Sequence, residues 1–432
     1  MGIIAKIASV VLAITFMTFV TFFGRLPIFR NTPVSWLHRA IWIHLPKLFS
    51  AVDQRLTSGR ITSYTSRTFN YLMYDKHPTI LIFFFLLLAG SQYMYLPAAW
   101  PHFTAFNKVA GSLAIILPYL FLYLSAFTDP GQVTRANHAR AMAQYPYDFT
   151  LFQPGVTCST CQLLKPARSK HCSVCKMCVA KMDHHCIFIN NCVGANNQRW
   201  FVLLMLTTGI QTLYGGVLGA GIIAAKVRTR YPAWSLWPWW GGSSHGASSP
   251  LKDYLVAWSW GIQDHVGMGA VTMLALLTTP LVWGLLAYHA WLIYCGTTTN
   301  ESMKWSDWQA DMDDGVVFRR KLRADRTKDP RVEAVWTRWP VEAEQIIVRT
   351  DDGKPPHSKV SLPGEGDWEP VWRLRDVENL YDLGLWDNLL DVFFPGYPFR
   401  DQAVPVSEHR GRQRRTKKGS TGKSQVEPES RI

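Results

Sequence analysis

The chain has 432 residues, 48% of them hydrophobic and only 18% charged, with a formal net charge of +14. Its apolar residues gather in blocks near the ~20 residues that a membrane-spanning helix needs, which excludes an ordinary soluble globule. The positive charge is spread over segments flanking those blocks, so it argues against nucleic acid as a partner.

In chain order, the first block is Ile7–Phe23. It is too long for a signal-peptide core, no small-residue cleavage site follows, and Arg25 and Arg30 lie just beyond, so residues 1–24 are read as a retained transmembrane helix. Residues 25–78 form a connecting loop with eight Lys or Arg between Arg25 and Lys76. The blocks Thr79–Leu96 and Val109–Thr128 make two further spans within 79–128, and residues 129–199 are again basic. Trp200–Ala225 and Gly267–Cys295 supply spans within 200–225 and 267–295, with a loop at 226–266 and a tail at 296–432. Basic residues mark the cytosolic side of a membrane. That rule places 25–78, 129–199 and 296–432 in the cytosol and 226–266 in the lumen, although Lys226, Arg228, Arg230 and Lys252 lie in that lumenal loop. The run YPAWSLWPWW (Tyr231–Trp240) suits a membrane interface, and the basic run His409–Ser420 suits a tail near anionic lipid. The expected fold is an all-α polytopic membrane protein of about five transmembrane helices.

Seven of the eight cysteines fall between Cys158 and Cys192. Their spacing is Cys158-x2-Cys161, then His171-Cys172-x2-Cys175-x2-Cys178, then His184-His185-Cys186-x5-Cys192. On the cytosolic side such a cluster points away from disulfides and toward closed tetrahedral zinc. Two such sites use eight ligands, whereas seven cysteines and three histidines offer ten. Two are spare, and spacing alone leaves open which.

The stretch Asp183-His184-His185-Cys186 resembles the signature of the DHHC family of protein S-acyltransferases. The same resemblance extends to KPARSKHC (Lys165–Cys172), NNCVGANN (Asn190–Asn197), Asp129-Pro130-Gly131 and Thr298-Thr299-Asn300-Glu301, with a weaker echo at Asn388. It implies one zinc on Cys158, Cys161, His171 and Cys178 and a second on Cys172, Cys175, His185 and Cys192. His184 and Cys186 are then the spare pair. It further implies a palmitoyltransferase that takes acyl-CoA as co-substrate, with Cys186 as nucleophile, His184 as its base and Asp183 orienting that base. Where most relatives follow the signature with Pro-Trp, this chain has Ile187-Phe188. That variant, the extra N-terminal span and GRLPIFRNTP (Gly24–Pro33) resemble the fungal spore-wall-formation subfamily. The subfamily implies an endoplasmic-reticulum membrane and SNARE substrates, acylated beside their transmembrane helices.

The chemistry fits these residue types. A thiol of ordinary pKa is only a few per cent thiolate at pH 7, so full ionisation would raise the nucleophile about 30-fold. A base supplies that deprotonation, and an acyl-enzyme divides the transfer into two steps. Lys165, Arg168 and Lys170 are expected near the CoA phosphates, while Thr298, Thr299, Glu301 and Asn388 are expected to brace the module against the membrane. Two readings of another class are a non-catalytic membrane-anchored zinc scaffold and a ubiquitin-ligase adaptor.

Overall fold

A computed structural model describes residues 32–232, 234–236, 250–323, 325–356 and 362–399, together with Phe16, Met17, Val20, Thr21 and Gly24. The first apolar block, most of the Trp/Pro run beyond Leu236 and the basic run His409–Ser420 lie largely or wholly outside the described residues.

Helix α1 (Pro33–Arg39) continues through a π-turn (Ala40–His44) into α2 (Leu45–Leu56), and a tight corner leads to α3 (Arg60–Tyr74). The long helices follow: α4 (Thr79–Ala99), α5 (Ala105–Phe127), α7 (Gln198–Arg230) and α9 (Val266–Tyr294), the last preceded by α8 (Pro250–Ile262). Among the described residues, four stretches are long and apolar enough to cross a membrane: Thr79–His102, Ala105–Phe127, Gln198–Arg230 and Tyr254–Tyr294. They fall on the last four predicted blocks, and the fold is that of a helical polytopic membrane protein. Helix α7 is the hub. A side chain at Gly216 would run into Leu276, and one at Gly219 into Thr272, so small residues bring α7 and α9 close.

Between α5 and α7, after the short α6 (His138–Met142), two small hairpins carry the cysteine-rich module. Strand β1 (Lys170–Cys172) pairs with β2 (Met177–Val179), and β3 (His184–Cys186) with β4 (Asn191–Val193). The module is fastened to the end of α5, whose last carbonyls have no partner within the helix. The Asn191 amide donates to the carbonyls of Ala126 (3.1 Å) and Thr128 (3.0 Å), and the Asn197 amide to those of Ser125 (3.2 Å) and Cys192 (2.8 Å).

The described residues after α9 hold further regular structure. Helix α10 (Thr299–Asp313) leads into a three-stranded antiparallel sheet of order β6–β5–β7 (Gln345–Arg349, Val317–Lys321, Glu365–Pro370), and α11 (Leu385–Phe393) follows. An aromatic core joins this segment to the loop before the module: Tyr145, Phe149 and Phe152 pack with Trp339, Tyr381 and Phe399. At its edge Asp391, on α11, is buried among cations. It pairs with Lys181 at 2.7 Å, with Arg338, and with Arg168 at 3.7 Å, and accepts from the Tyr145 hydroxyl at 2.7 Å.

Burial opposes ionisation of Asp391, but Lys181, Arg338 and Arg168 outweigh it and hold the carboxyl well below its usual range. Its stabilisation is therefore present above the unfolded-state pKa near ~4 and is lost as pH falls from there through the lower folded value. At neutral pH, Asp391→Asn leaves three buried cations short of a counter-charge. It should lower stability by about 3–5 kcal/mol, read as a drop in thermal unfolding temperature of the detergent-purified chain.

Candidate active site and metal clusters

Consecutive residues on a strand point to opposite faces. On β3 this puts His184 and Cys186 on one face and His185, between them, on the other. His185 lies opposite Cys192 in the β3–β4 register, as His171 lies opposite Cys178 in β1–β2.

Two four-donor clusters result. In the first, His171 Nδ1 is 3.5 Å from Cys158 Sγ, 3.4 Å from Cys161 Sγ and 3.8 Å from Cys178 Sγ. In the second, His185 Nδ1 is 3.7 Å from Cys172 Sγ, 3.4 Å from Cys175 Sγ and 3.7 Å from Cys192 Sγ. Tetrahedral zinc, with Zn–S of ~2.3 Å and Zn–N of ~2.0–2.1 Å, requires N···S separations of about 3.6 Å. Both donor sets fit. The Cys161 and Cys175 amides donate to Cys158 Sγ (3.4 Å) and Cys172 Sγ (3.3 Å), which favours their thiolates. These are the two groupings that the family resemblance implies, and each could hold one zinc ion.

On the opposite face, His184 Nδ1 is 2.6 Å from Asp183 Oδ2. Asp183 is buried and also accepts from the Thr299 N–H (2.6 Å, to Oδ1) and hydroxyl (3.0 Å, to Oδ2). Thr299 is the first residue of α10, so the carboxylate sits where exposed amides and the helix dipole favour negative charge. Burial opposes ionisation of Asp183, but His184 and the Thr299 amide are among the groups that overcome it and hold its carboxyl below the usual range. For His184, burial disfavours the charged ring, and Asp183 and the Cys186 sulfur outweigh it, pushing the imidazole up to about 10. The arrangement makes His184 a strong base and stabilises the imidazolium that forms when it takes up a proton.

Cys186 itself is buried in an apolar cluster with Leu122, Ile189, Phe201 and Met205, against which Phe84 of α4 packs. Phe188 meets Phe84 edge-on at 6.0 Å. Phe84 also lines an apolar cavity between the long helices, with Leu88, Tyr95, Ile115, Leu274 and Thr278 among the other walls. Apolar surface therefore continues from the thiol into the helix bundle.

Of the basic residues expected near CoA phosphates, Arg168 has a different place. It is 1% exposed and forms a fork with Glu301 (Nε to Oε1 2.7 Å, Nη2 to Oε2 2.6 Å), with a further bond to the Gly296 carbonyl at 2.9 Å. Its charge is consumed inside the fold, because a bare guanidinium at that depth would be costly. Lys170 is exposed and donates to Asn300 Oδ1 at 2.8 Å, and Lys165 is half-buried. Glu301 also closes the capping box of α10 with Thr298. Asn388 donates to the Tyr294 carbonyl at 3.1 Å, tying α11 to the end of α9.

Sequence reasoning missed His289, on α9. It is buried, its ring is 5.9 Å from that of His184, and Asp183, His184 and His289 offer donor atoms within 4.8 Å of one another. An ionisable side chain within an apolar span was the available signal.

Residues 152–306 match the family model described as DHHC palmitoyltransferase. Over most of its length the chain is similar to three fungal palmitoyltransferases. It is 64% identical over 426 residues to palmitoyltransferase SWF1 of Neurospora crassa, covering 96% of this chain and 99% of that one. It is 38% identical over 417 residues to the swf1 enzyme of Emericella nidulans (91% and 97%) and 30% identical over 395 residues to that of Schizosaccharomyces pombe (90% and 96%). A membrane-spanning helical bundle that carries this module is thus a protein S-acyltransferase. The chain belongs to the DHHC palmitoyltransferase family, in its fungal SWF1 branch.

Gly194 marks how tightly the module is packed: a Cβ there would lie 2.5 Å from the Pro130 carbonyl oxygen and 2.5 Å from Val179 Cγ1. Gly194→Ala should destabilise the module by at least about 2 kcal/mol. Gly221→Ala on α7, where a Cβ meets nothing within 4 Å, should leave it unchanged. Thermal unfolding and bound zinc, measured on both variants, check the contrast.

Proposed function

We propose that the protein transfers a fatty acyl group in two steps from acyl-CoA, through a thioester on Cys186, to cysteines of membrane proteins. The observation that carries this reading is the hydrogen-bonded series Thr299–Asp183–His184, which ends beside a thiol left out of both metal clusters. With Nδ1 engaged by Asp183, Nε2 of His184 is the nitrogen left to take the Cys186 proton. The thiolate attacks the acyl carbonyl, the carbon–sulfur bond to CoA breaks, and the proton passes to the departing CoA sulfur. A substrate thiol, deprotonated by the same imidazole, then attacks the acyl-enzyme and releases Cys186. Each step exchanges one thioester for another. Asp183 holds the ring in orientation and stabilises its charged form.

Two zinc ions would be held by Cys158, Cys161, His171 and Cys178, and by Cys172, Cys175, His185 and Cys192. They would supply cross-links that fix β1–β4 and take no part in the transfer. The apolar lining from Phe188 and Phe84 into the bundle supports seating the acyl chain there, which confines thioester and thiol together. Lys165 and Lys170 remain as residues that could meet CoA phosphates, with Arg168 removed from that set by its bond to Glu301.

A thiol at the membrane end of the helices suits substrate cysteines beside transmembrane segments, SNAREs among them. The positive-inside charges favour a cytosolic active site, and the family branch favours the endoplasmic reticulum. A metal-binding scaffold would have no use for the ordered Asp183–His184 pair.

Two tests follow. Purified chain incubated with labelled palmitoyl-CoA should take up hydroxylamine-labile label, and Cys186→Ser should take up none; equal labelling of the variant would defeat the proposal. Thr299→Val, which removes the hydroxyl bond to Asp183, should slow acyl-enzyme formation by roughly 10-fold or more, whereas Thr299→Ser should restore most of the rate. Single-turnover kinetics separates these outcomes from a loss of folded protein.

A further inference from the structure

Among the described residues, α2 and α3 turn an unusually apolar surface outward. On α2, Leu45, Leu48, Val52 and Leu56 recur at intervals of three and four residues, which puts them on one helix face, and all four are exposed. Ile61 and Tyr64 of α3 are exposed as well. The corner between the helices is braced: Asp53 accepts from the Thr62 N–H at 2.7 Å and from the Thr57 hydroxyl. The hairpin is therefore a built element whose apolar side has been left open.

Its charge is one-sided. Lys47, Arg55, Arg60, Arg67 and Lys76 face only Asp53 and Asp75 over residues 45–76. Its position is constrained too. Tyr74 is followed after four residues by Thr79, the start of the first described span, and an extended link of that length reaches at most ~18 Å. Helices α4 and α5 cross in opposite directions, joined by the short link 100–104, so the start of α4 and the end of α5 share one side. The Cys/His module begins just after α5, and the hairpin lies on the module's side of the bilayer.

We propose that residues 45–74 form an in-plane hairpin seated in the headgroup layer of the leaflet that the Cys/His module faces, with anionic phospholipid as its partner. An amphipathic helix with a basic flank binds such a surface through buried apolar area plus attraction to negative headgroups. The hairpin anchors the link into α4 and enriches anionic lipid beside the module.

The test places a photo-crosslinking p-benzoylphenylalanine at Leu48, on the apolar face, or at Ser50, on the opposite face, in the full chain. The protein is held in nanodiscs of phosphatidylcholine with a minor share of phosphatidylserine. Position 48 should give at least about fivefold more lipid adduct than position 50. Phosphatidylserine should be over-represented several-fold relative to its share, and raising salt should weaken that preference. The combined change Lys47→Glu, Arg55→Glu, Arg60→Glu and Arg67→Glu should abolish it. Adducts to this chain or to a second copy in place of lipid would overturn the proposal. So would equal yields at the two positions, or a phosphatidylserine preference that survives both salt and charge reversal.

Discussion

Neighbouring residues on a β-strand face opposite ways, and at His184–His185–Cys186 that constraint divides the chemistry. Three residues that could each bind metal stand side by side, yet only His185 turns toward the Cys172, Cys175 and Cys192 cluster. A helix at this point would spread the three by about 100° each and would not separate them so cleanly. The short β3–β4 hairpin therefore sets the Cys/His donor cluster beside the Cys186 thiol without drawing that thiol into it. Longer-range contacts fix the module that carries that hairpin.

Three attachments do this. Asparagines 191 and 197 occupy the open carbonyls at the end of α5. The start of α10 supplies an amide and a hydroxyl to Asp183. Arg168 joins the module to Glu301 and, through Asp391, to α11. Arg168 also lies over the rings of Tyr381 (4.5 Å) and Tyr145 (5.1 Å), so its charge is met by carboxylates at its edge and aromatic faces on its sides. Buried ions of this kind cost desolvation on folding, and they are tolerated because each is paired. They add geometric definition where hydrophobic contact alone would let the module slide.

The four described spans and a cysteine-rich module of zinc-binding type could be read from the sequence because their signals are local, twenty-residue apolar runs and closely spaced cysteines, whereas the grouping of the ligands into two sets came from the family resemblance. What could not be read is non-local. Arg168 resembled a phosphate contact because its partner Glu301 lies 133 positions away. The sheet after α10 has strands of five and six residues, too short to display a period, and the core beneath it is closed by pairs such as Tyr145 and Asp391, 246 positions apart. His289 was concealed by the apolar residues around it on α9. Counting ligands showed that two candidates are spare, and the family resemblance implied that they are His184 and Cys186. Why those two are left over required the strand geometry.

The most direct test of this division is zinc K-edge X-ray absorption on the purified full chain, wild type beside Cys186→Ser. Each zinc should have a first shell averaging about three sulfurs and one nitrogen, identical in the two proteins. A shell with more sulfur or more nitrogen, or one that changes when Cys186 is replaced, would mean that Cys186 or His184 is a metal ligand, and the account would be wrong.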